Sequence, residues 1–433
     1  MHIVHNPFGQ EHPYEQLPEE RFPRQPLADG PFTIGIVIRP PGTAQQVIVH
    51  QQIDGMDMSP LKAVLMSDWQ AQQEEGVGAE FLERIIRIEQ DVWQAQLVAP
   101  PAGRTLTYWI EADDERSETF TLVGEAWRNG GGWTVEGDIL TFDANASNRE
   151  ALTNLPPVLD VEWLGMRRIR LTFAANPNEH FFGLGERFNA LDQRGNVIDI
   201  RVYEQYKNHG KRTYMPIPFL LSSAGYGLFV ESNRWMQFDL ASTHADRWTL
   251  EADLGPDGKL PLTWFADSDP INIIGQFATK TGPVVLPPEW SFGLWMSGNE
   301  WNRQSYIENV VKTSLEQGIK PSVIVIEAWS DETTFYIWND AQYTPRPGSD
   351  APHYADFTFP SDGKWTDPKG MIDWLHENGI KILLWQIPVM KILEQPHSQH
   401  EADRAYFEQE GLGVKEADGS LHKVRPFWFR GGY

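Results

Sequence analysis

The chain of 433 residues contains no cysteine. That excludes disulfides, thiolate metal sites and cysteine nucleophiles, and makes a reducing, cytoplasmic setting the expectation. Positive charge is scarce as well: 36 Lys and Arg stand against 60 Asp and Glu, a formal net charge of −24. With no basic stripe to meet phosphates, neither nucleic acid nor an anionic membrane surface is an expected partner. No run of about 18 apolar residues occurs, so no membrane-spanning helix is predicted. The N-terminal stretch Met1-His2-Ile3-Val4-His5-Asn6-Pro7 has neither the basic nor the apolar region of a secretory signal. No internal repeat and no low-complexity segment stands out.

What is abundant is tryptophan, with 18 residues. An indole offers a broad apolar face with one donor, which suits both sandwich cores and the C–H faces of sugar rings. Residues 1–125 read as short strands (33–39, 46–50, 93–98, 106–111) stopped by Pro40-Pro41 and Pro100-Pro101. They predict an immunoglobulin-like β-sandwich. Residues 126–285 continue the strand habit in longer pieces, clearest at 168–173, 219–222, 227–231 and 262–266, and predict a second, larger sandwich.

After Pro287-Pro288 the periodicity changes. Residues 291–296 read as a buried parallel strand, 305–317 as an amphipathic helix closed by Gly318, and 323–326 as a second strand. Asp367-Pro368 caps a helix that ends at Gly379, and 382–385 is a third strand. Strand–helix alternation implies right-handed crossovers. With no glycine-rich phosphate turn, a TIM-type barrel is favoured over a doubly wound sheet for 286–433.

Barrel chemistry sits at the carboxyl ends of strands. Those ends read Trp295, Ser297 and Asn299-Glu300-Trp301, then Glu327-Ala328-Trp329-Ser330-Asp331-Glu332, then Trp385-Gln386. Carboxylates that accept from hydroxyls, beside indoles that support a ring, describe a sugar pocket. The alternative is that Glu327 and Asp331 only pair with a barrel cation. The connection 328–366 is long for a barrel loop and rich in Trp, Tyr and Phe, which predicts an ordered lid or rim. His397 and His400 stand one helical turn apart, but no third ligand lies near them in sequence, so no metal is expected.

Several motifs in order carry a resemblance. Phe182-Gly183-Leu184-Gly185-Glu186-Arg187-Phe188, Pro218-Phe219-Leu220-Leu221-Ser222-Ser223 and Gly225-Tyr226-Gly227 are similar to the N-terminal sandwich of glycoside hydrolase family 31, a galactose-mutarotase-like domain. Pro287-Pro288-Glu289-Trp290-Ser291-Phe292-Gly293-Leu294-Trp295 resembles the family's entry into its (β/α)8 barrel, and Gly370-Met371-Ile372, Gly379-Ile380-Lys381 and Trp385-Gln386-Ile387-Pro388 match its second helix and third strand. The resemblance covers about residues 160–433. It implies a retaining α-glycosidase or α-glucosyltransferase in which one carboxylate attacks the anomeric carbon and another protonates the leaving oxygen. Both are Asp in the family, the nucleophile at the end of the fourth strand. The chain is expected to stop before that strand, with about three strands of the barrel present, so no catalytic residue is assigned and the fragment alone is expected to be inactive; the alternative for the chain as given is a noncatalytic carbohydrate-binding fragment.

The resemblance also places sugar-binding residues. A sandwich-loop carboxylate falls on Glu204, where the family has Asp, and Glu327 keeps the first carboxylate of an Asp-Ile-Asp pattern whose second becomes Trp329. Members selective for xylosides carry an aromatic at that place, and Trp385 matches one of their subsite residues. The candidate binding set is Glu204, Trp295, Glu327, Trp329, Asp331 and Trp385. No cofactor is implied. The expected partner is an oligosaccharide or glycoside, and self-association is left open.

Overall fold

The structure, a computed structural model, describes all residues except 10–15, 67–89, 151–157, 204–208, 348, 416–418 and 425–431. The chain divides into two compact units, Met1–Val284 and Val285–Tyr433.

The strands of the first unit's sheets pair antiparallel. In its N-terminal part, Pro31–Arg39 and Asp91–Val98 pair in one sheet, and Val47–Ile53, Thr105–Ala112 and Glu115–Val123 pair in another. Alternation decides which side chains point between the sheets. In Thr105–Ala112, Leu106, Tyr108, Ile110 and Ala112 are fully buried while their neighbours are not. They meet Ile34, Ile36 and Ile38 in one core.

Two six-stranded sheets follow. One runs Trp127–Asn129, Val158–Leu164, Arg168–Ala174, Arg247–Asp253, Met236–Asp239, Val197–Asp199; the other contains Ile139–Asp143, Lys259–Ala266, Tyr226–Val230 and Phe219–Ser222. Trp248 anchors the core between them, stacked on Phe173 at 4.2 Å between ring centroids. A helix, Pro270–Thr281, closes the unit. Asp269 caps it by accepting from Ile271 N at 2.9 Å, Pro270 takes the first helical position, and Ile273 packs against Phe219 and Phe265.

The second unit is built on a parallel sheet of three strands, Trp295–Gly298, Val323–Ile326 and Lys381–Leu384, in sequence order. Helices Gln304–Glu316 and Pro368–Glu377 cover one face, where Ile307, Val311, Met371 and Leu375 meet Ile324 and Ile326. Two expectations are corrected here. The first strand begins at Trp295, not at 291, because Glu289–Phe292 winds into a 3₁₀ turn behind Pro288 and Ser291 Oγ donates to Pro288 O at 2.7 Å. Nor are the strands buried on both faces. Trp295, Ser297 and Leu383 point away from the helices and are exposed. Three strands cannot curve round to bury their own second face.

Candidate functional site

The candidate site lies where the three parallel strands end. The chain leaves the first strand through a tight turn, with Trp301 N donating to Gly298 O at 3.0 Å. A Cβ at 298 would stand 2.6 Å from Trp301 Nε1, so glycine here lets the indole pack against the turn. This turn carries Asn299 and Asn302 to the rim of a cavity of about 480 Å³. The rest of its lining comes from Glu327, Ala328, Ser330, Glu332, Phe335 and Asn339 after the second strand, Lys364 at the far end of the long connection, and Trp385 after the third strand.

Glu327 is the centre of this arrangement. Ser297 Oγ donates to its Oε1 at 2.5 Å, and the Asn299 amide, turned to donate, reaches Oε1 at 3.2 Å and Oε2 at 2.6 Å. Two donor groups, Ser297 on the neighbouring strand and Asn299 just past its end, hold the carboxylate in one orientation as an acceptor, with lone pairs left over for a hydroxyl. Trp385 shares the cavity, half exposed, with its ring edge-to-face against Phe335 at 6.0 Å.

Phe335 occupies the left-handed region at φ 61° although its side chain is almost fully buried. A non-glycine residue held there costs about 1–2 kcal/mol, so its surroundings must impose it. Asp331 does so. Its Oδ1 accepts from Thr333 N at 2.9 Å and Thr334 N at 2.8 Å, its Oδ2 from Thr334 Oγ1 at 2.5 Å, and its carbonyl from Phe335 N at 3.0 Å. Lys391 braces the far side, with Nζ 5.4 Å from the Phe335 ring centroid and donating to Glu332 O at 2.9 Å.

The six residues singled out from sequence therefore part company. Glu327 and Trp385 line one cavity. Asp331 sits beside it as the organiser of a turn. Trp329 is 3% exposed, packed edge-to-face on Trp338 at 4.9 Å within the helix-side core, and its Nε1 donates to Trp385 O at 2.6 Å. It supports the wall and does not line it. Trp295 lies at the start of its strand, about 10 Å of extended chain below the ends, stacked on Trp290 at 6.2 Å and donating to Ser291 O at 3.0 Å. Glu204 lies outside the described residues.

Sequence reasoning passed over Asn302, Asn339 and Lys364, which come from loops without a periodic signal; Phe335 belongs to the aromatics that predict an ordered lid or rim. Within the described part of the connection 328–366, isolated bridges pair Ser330 with Trp338 and Gln342 with Thr358, and Ile337 and Trp365 are buried. A helix, Ser398–Glu410, holds it from outside: Gln399 exchanges hydrogen bonds with the Arg346 backbone at 2.9 and 3.0 Å, and Tyr336 donates to Asp403 at 2.6 Å. Burial, then the Asp403 carboxylate, raise the Tyr336 pKa, so that hydroxyl stays a donor. His397 is this helix's N-cap, its Nδ1 accepting from His400 N at 3.3 Å.

Comparison with known proteins places this geometry in a family. The profile of the glycosyl hydrolase 31 N-terminal galactose mutarotase-like domain matches residues 111–239, and that of the glycosyl hydrolases family 31 TIM-barrel domain matches residues 284–431. A further profile, described as Lmo2446-like N-terminal, matches residues 4–75. The chain belongs to glycoside hydrolase family 31.

Among its relatives, the isomaltosyltransferase of Sporosarcina globispora is 41% identical over 286 residues, 65% of this chain and 26% of that protein. The 1,3-alpha-isomaltosidase of Kribbella flavida is 33% identical over 99% of this chain and 57% of its own length. The structure of a cycloalternan-degrading enzyme from Trueperella pyogenes in complex with cycloalternan superposes with a TM-score of 0.85 at 32% identity, over 100% of this chain and 59% of that one. The chain thus spans little more than half the length of relatives that match it end to end.

Proposed function

We propose that this chain is the N-terminal portion of a retaining α-glycosidase acting on α-linked gluco-oligosaccharides that carry isomaltosyl units. In this reading the first sandwich is an immunoglobulin-like module, and the parallel sheet is the opening of an eight-stranded barrel whose later strands supply the nucleophile and the acid/base. Glu327 accepts from hydroxyls of the sugar next to the scissile bond, and Trp385 offers its ring as a platform. Trp329 and Asp331 act indirectly, the first by holding the Trp385 backbone and the second by holding Phe335. Glu204 joins the sugar contacts by resemblance alone.

The observation that carries the proposal is the caged carboxylate. An acceptor held by Ser297 and Asn299 beside a half-exposed indole suits a neutral polyol and discourages an anion. The position of Trp329 bears on the choice of sugar. With that indole in the core, Ala328 lines the cavity, leaving room for the hydroxymethyl arm of a hexose and supporting a glucoside over a xyloside.

The test is hydrolysis by the full-length protein of aryl α-isomaltoside, aryl α-glucoside and aryl α-xyloside. Release of isomaltose from the first is expected, and inertness on all three would refute the reading. Transfer of the glycosyl unit to another sugar is the second reading, favoured by the 41% identity to an isomaltosyltransferase. Products from a single oligosaccharide decide between the two, because transfer yields species longer than the substrate.

A further inference from the structure

We infer that the second sandwich carries a noncatalytic oligosaccharide site on the solvent face of the sheet that contains Arg168–Ala174 and Arg247–Asp253. A trough of about 620 Å³ lies there, larger than the cavity at the strand ends. Strand register builds its floor. Asp160, Thr172, Thr249 and Asp239 stand directly opposite one another across four neighbouring strands, and two residues along the same face come Glu162, Arg170, Glu251 and Gln237.

Any antiparallel sheet with one face to water shows polar side chains there. Three features separate this face from an ordinary solvated one. It is concave and partly enclosed: Thr172 on the floor is 8% exposed, and the hairpin bearing Thr243 and His244 contributes lining residues. Its long side chains are also held in place. Arg170 is paired with Glu162 at 3.3 Å and Glu251 at 3.2 Å while its guanidinium lies 4.0 Å from the Trp127 ring centroid. Such pre-organisation removes an entropic cost of binding. Finally, acceptors are left over at both ends of the row. Asp160 uses Oδ1 for Val161 N, and Asp239 uses Oδ1 for Ser242 N and Thr243 N; among the described residues neither pairs with a cation.

The chemistry of the lining selects the ligand. Four carboxylates (Asp160, Glu162, Asp239, Glu251) face two guanidiniums (Arg170, Arg247), which disfavours an anion. No group of three or more metal-ligating side chains occurs among the described residues, which disfavours a bound cation. Hydroxyls of Thr172 and Thr249, the Gln237 amide and the free carboxylate oxygens form a mixed donor and acceptor row suited to a neutral polyol. Asp160 and Asp239 are separated by three strand spacings, about 14 Å, longer than one pyranose ring, so the ligand is an oligosaccharide. No Trp, Tyr or Phe lines the trough, so binding rests on hydroxyl contacts and is weak, with an expected Kd on the order of 1 mM.

The test uses the 433-residue chain and carbodiimide-driven amine labelling of Asp160 and Asp239, read by mass spectrometry. Maltotriose or isomaltotriose at about 50 mM, well above that Kd, is expected to lower labelling at both carboxylates several-fold. Thr249→Tyr, which fills the floor with a residue that strands favour, is expected to abolish the protection. Glu327→Ala, at the other site, is expected to leave it intact, which separates this proposal from the one above. Unchanged labelling with either sugar, protection that persists in Thr249→Tyr, or protection by calcium chloride in place of sugar would each overturn the inference. Asp160→Asn, judged by protection of Asp239 alone, serves if Thr249→Tyr does not fold.

Discussion

Acidification should weaken the first sandwich through one buried side chain, His5. Its ring is 6% exposed, with Nδ1 2.7 Å from Gly35 O and Nε2 2.9 Å from the Tyr108 hydroxyl. The carbonyl requires a proton on Nδ1, which leaves Nε2 to accept from Tyr108, so the pocket is built for the neutral imidazole. Burial is the main cause that pushes the His5 pKa down to about 4 from 6.5, and Arg21 nearby adds to it against the Gly35 and Glu19 carbonyls, the latter 2.9 Å from Nδ1. Between these values the unfolded chain binds a proton that the folded chain does not, so stability rises with pH across the window and falls as pH drops from 6.5 toward 4. A shift of this size corresponds to about 3 kcal/mol, a large share of the 5–15 kcal/mol typical of a domain. The assay is urea unfolding at several pH values for the wild type and for His5→Gln, which cannot titrate. Their stability difference should move against the wild type by about 3 kcal/mol between pH 6.5 and pH 4. A difference that stays flat, or an NMR titration placing His5 near 6.5, would refute the reasoning.

Three further outcomes are expected at the candidate site. Glu327→Gln in the full-length protein keeps the shape but sets an amide against the Asn299 and Ser297 donors; loss of a charge-assisted contact of about 1.5–3 kcal/mol should weaken oligosaccharide binding roughly 10- to 100-fold by calorimetry. Trp329→Phe keeps most of the packing and removes the donor to Trp385 O, costing about 1 kcal/mol and shifting Trp385 fluorescence, with KM raised more than kcat is lowered. Asp331→Ala strips three accepted hydrogen bonds from the turn. It should destabilise the second unit by about 1–3 kcal/mol in chemical unfolding, whereas Asp331→Asn retains part of the loss.

The parallel unit shows what periodicity could and could not reveal. Val323–Ile326 and the helix Pro368–Glu377 follow from short apolar runs and an Asp-Pro cap, because these are local signals written in contiguous residues. The start of the first strand carries no such local signal. Ser291-Phe292-Gly293-Leu294-Trp295-Met296 is apolar throughout, and an apolar run does not say where the backbone becomes extended. What decided it was a prolyl turn just upstream, which consumed residues 289–292 and moved Trp295 from the end of the strand to its start. A displacement of four residues along a strand was enough to take an indole out of the site.

Trp329 carries the more general lesson. At the end of a parallel strand, successive side chains alternate between the helix-covered face and the open one, so Glu327 and Trp329 should share a face only if the chain stays extended. It does not. The strand ends at Ile326, the bridge from Ser330 to Trp338 bends the chain back, and Trp329 swings under the wall to join Trp365 and Trp338. Its buried N–H then needed an acceptor, and the Trp385 carbonyl supplied one. The aromatic that motivated a xyloside reading thus shapes the site by fixing another aromatic. Residue identity in a strand-end motif indicates function only together with the backbone path that follows it, and here that path is set by contacts across the long connection, beyond the reach of any sequence window.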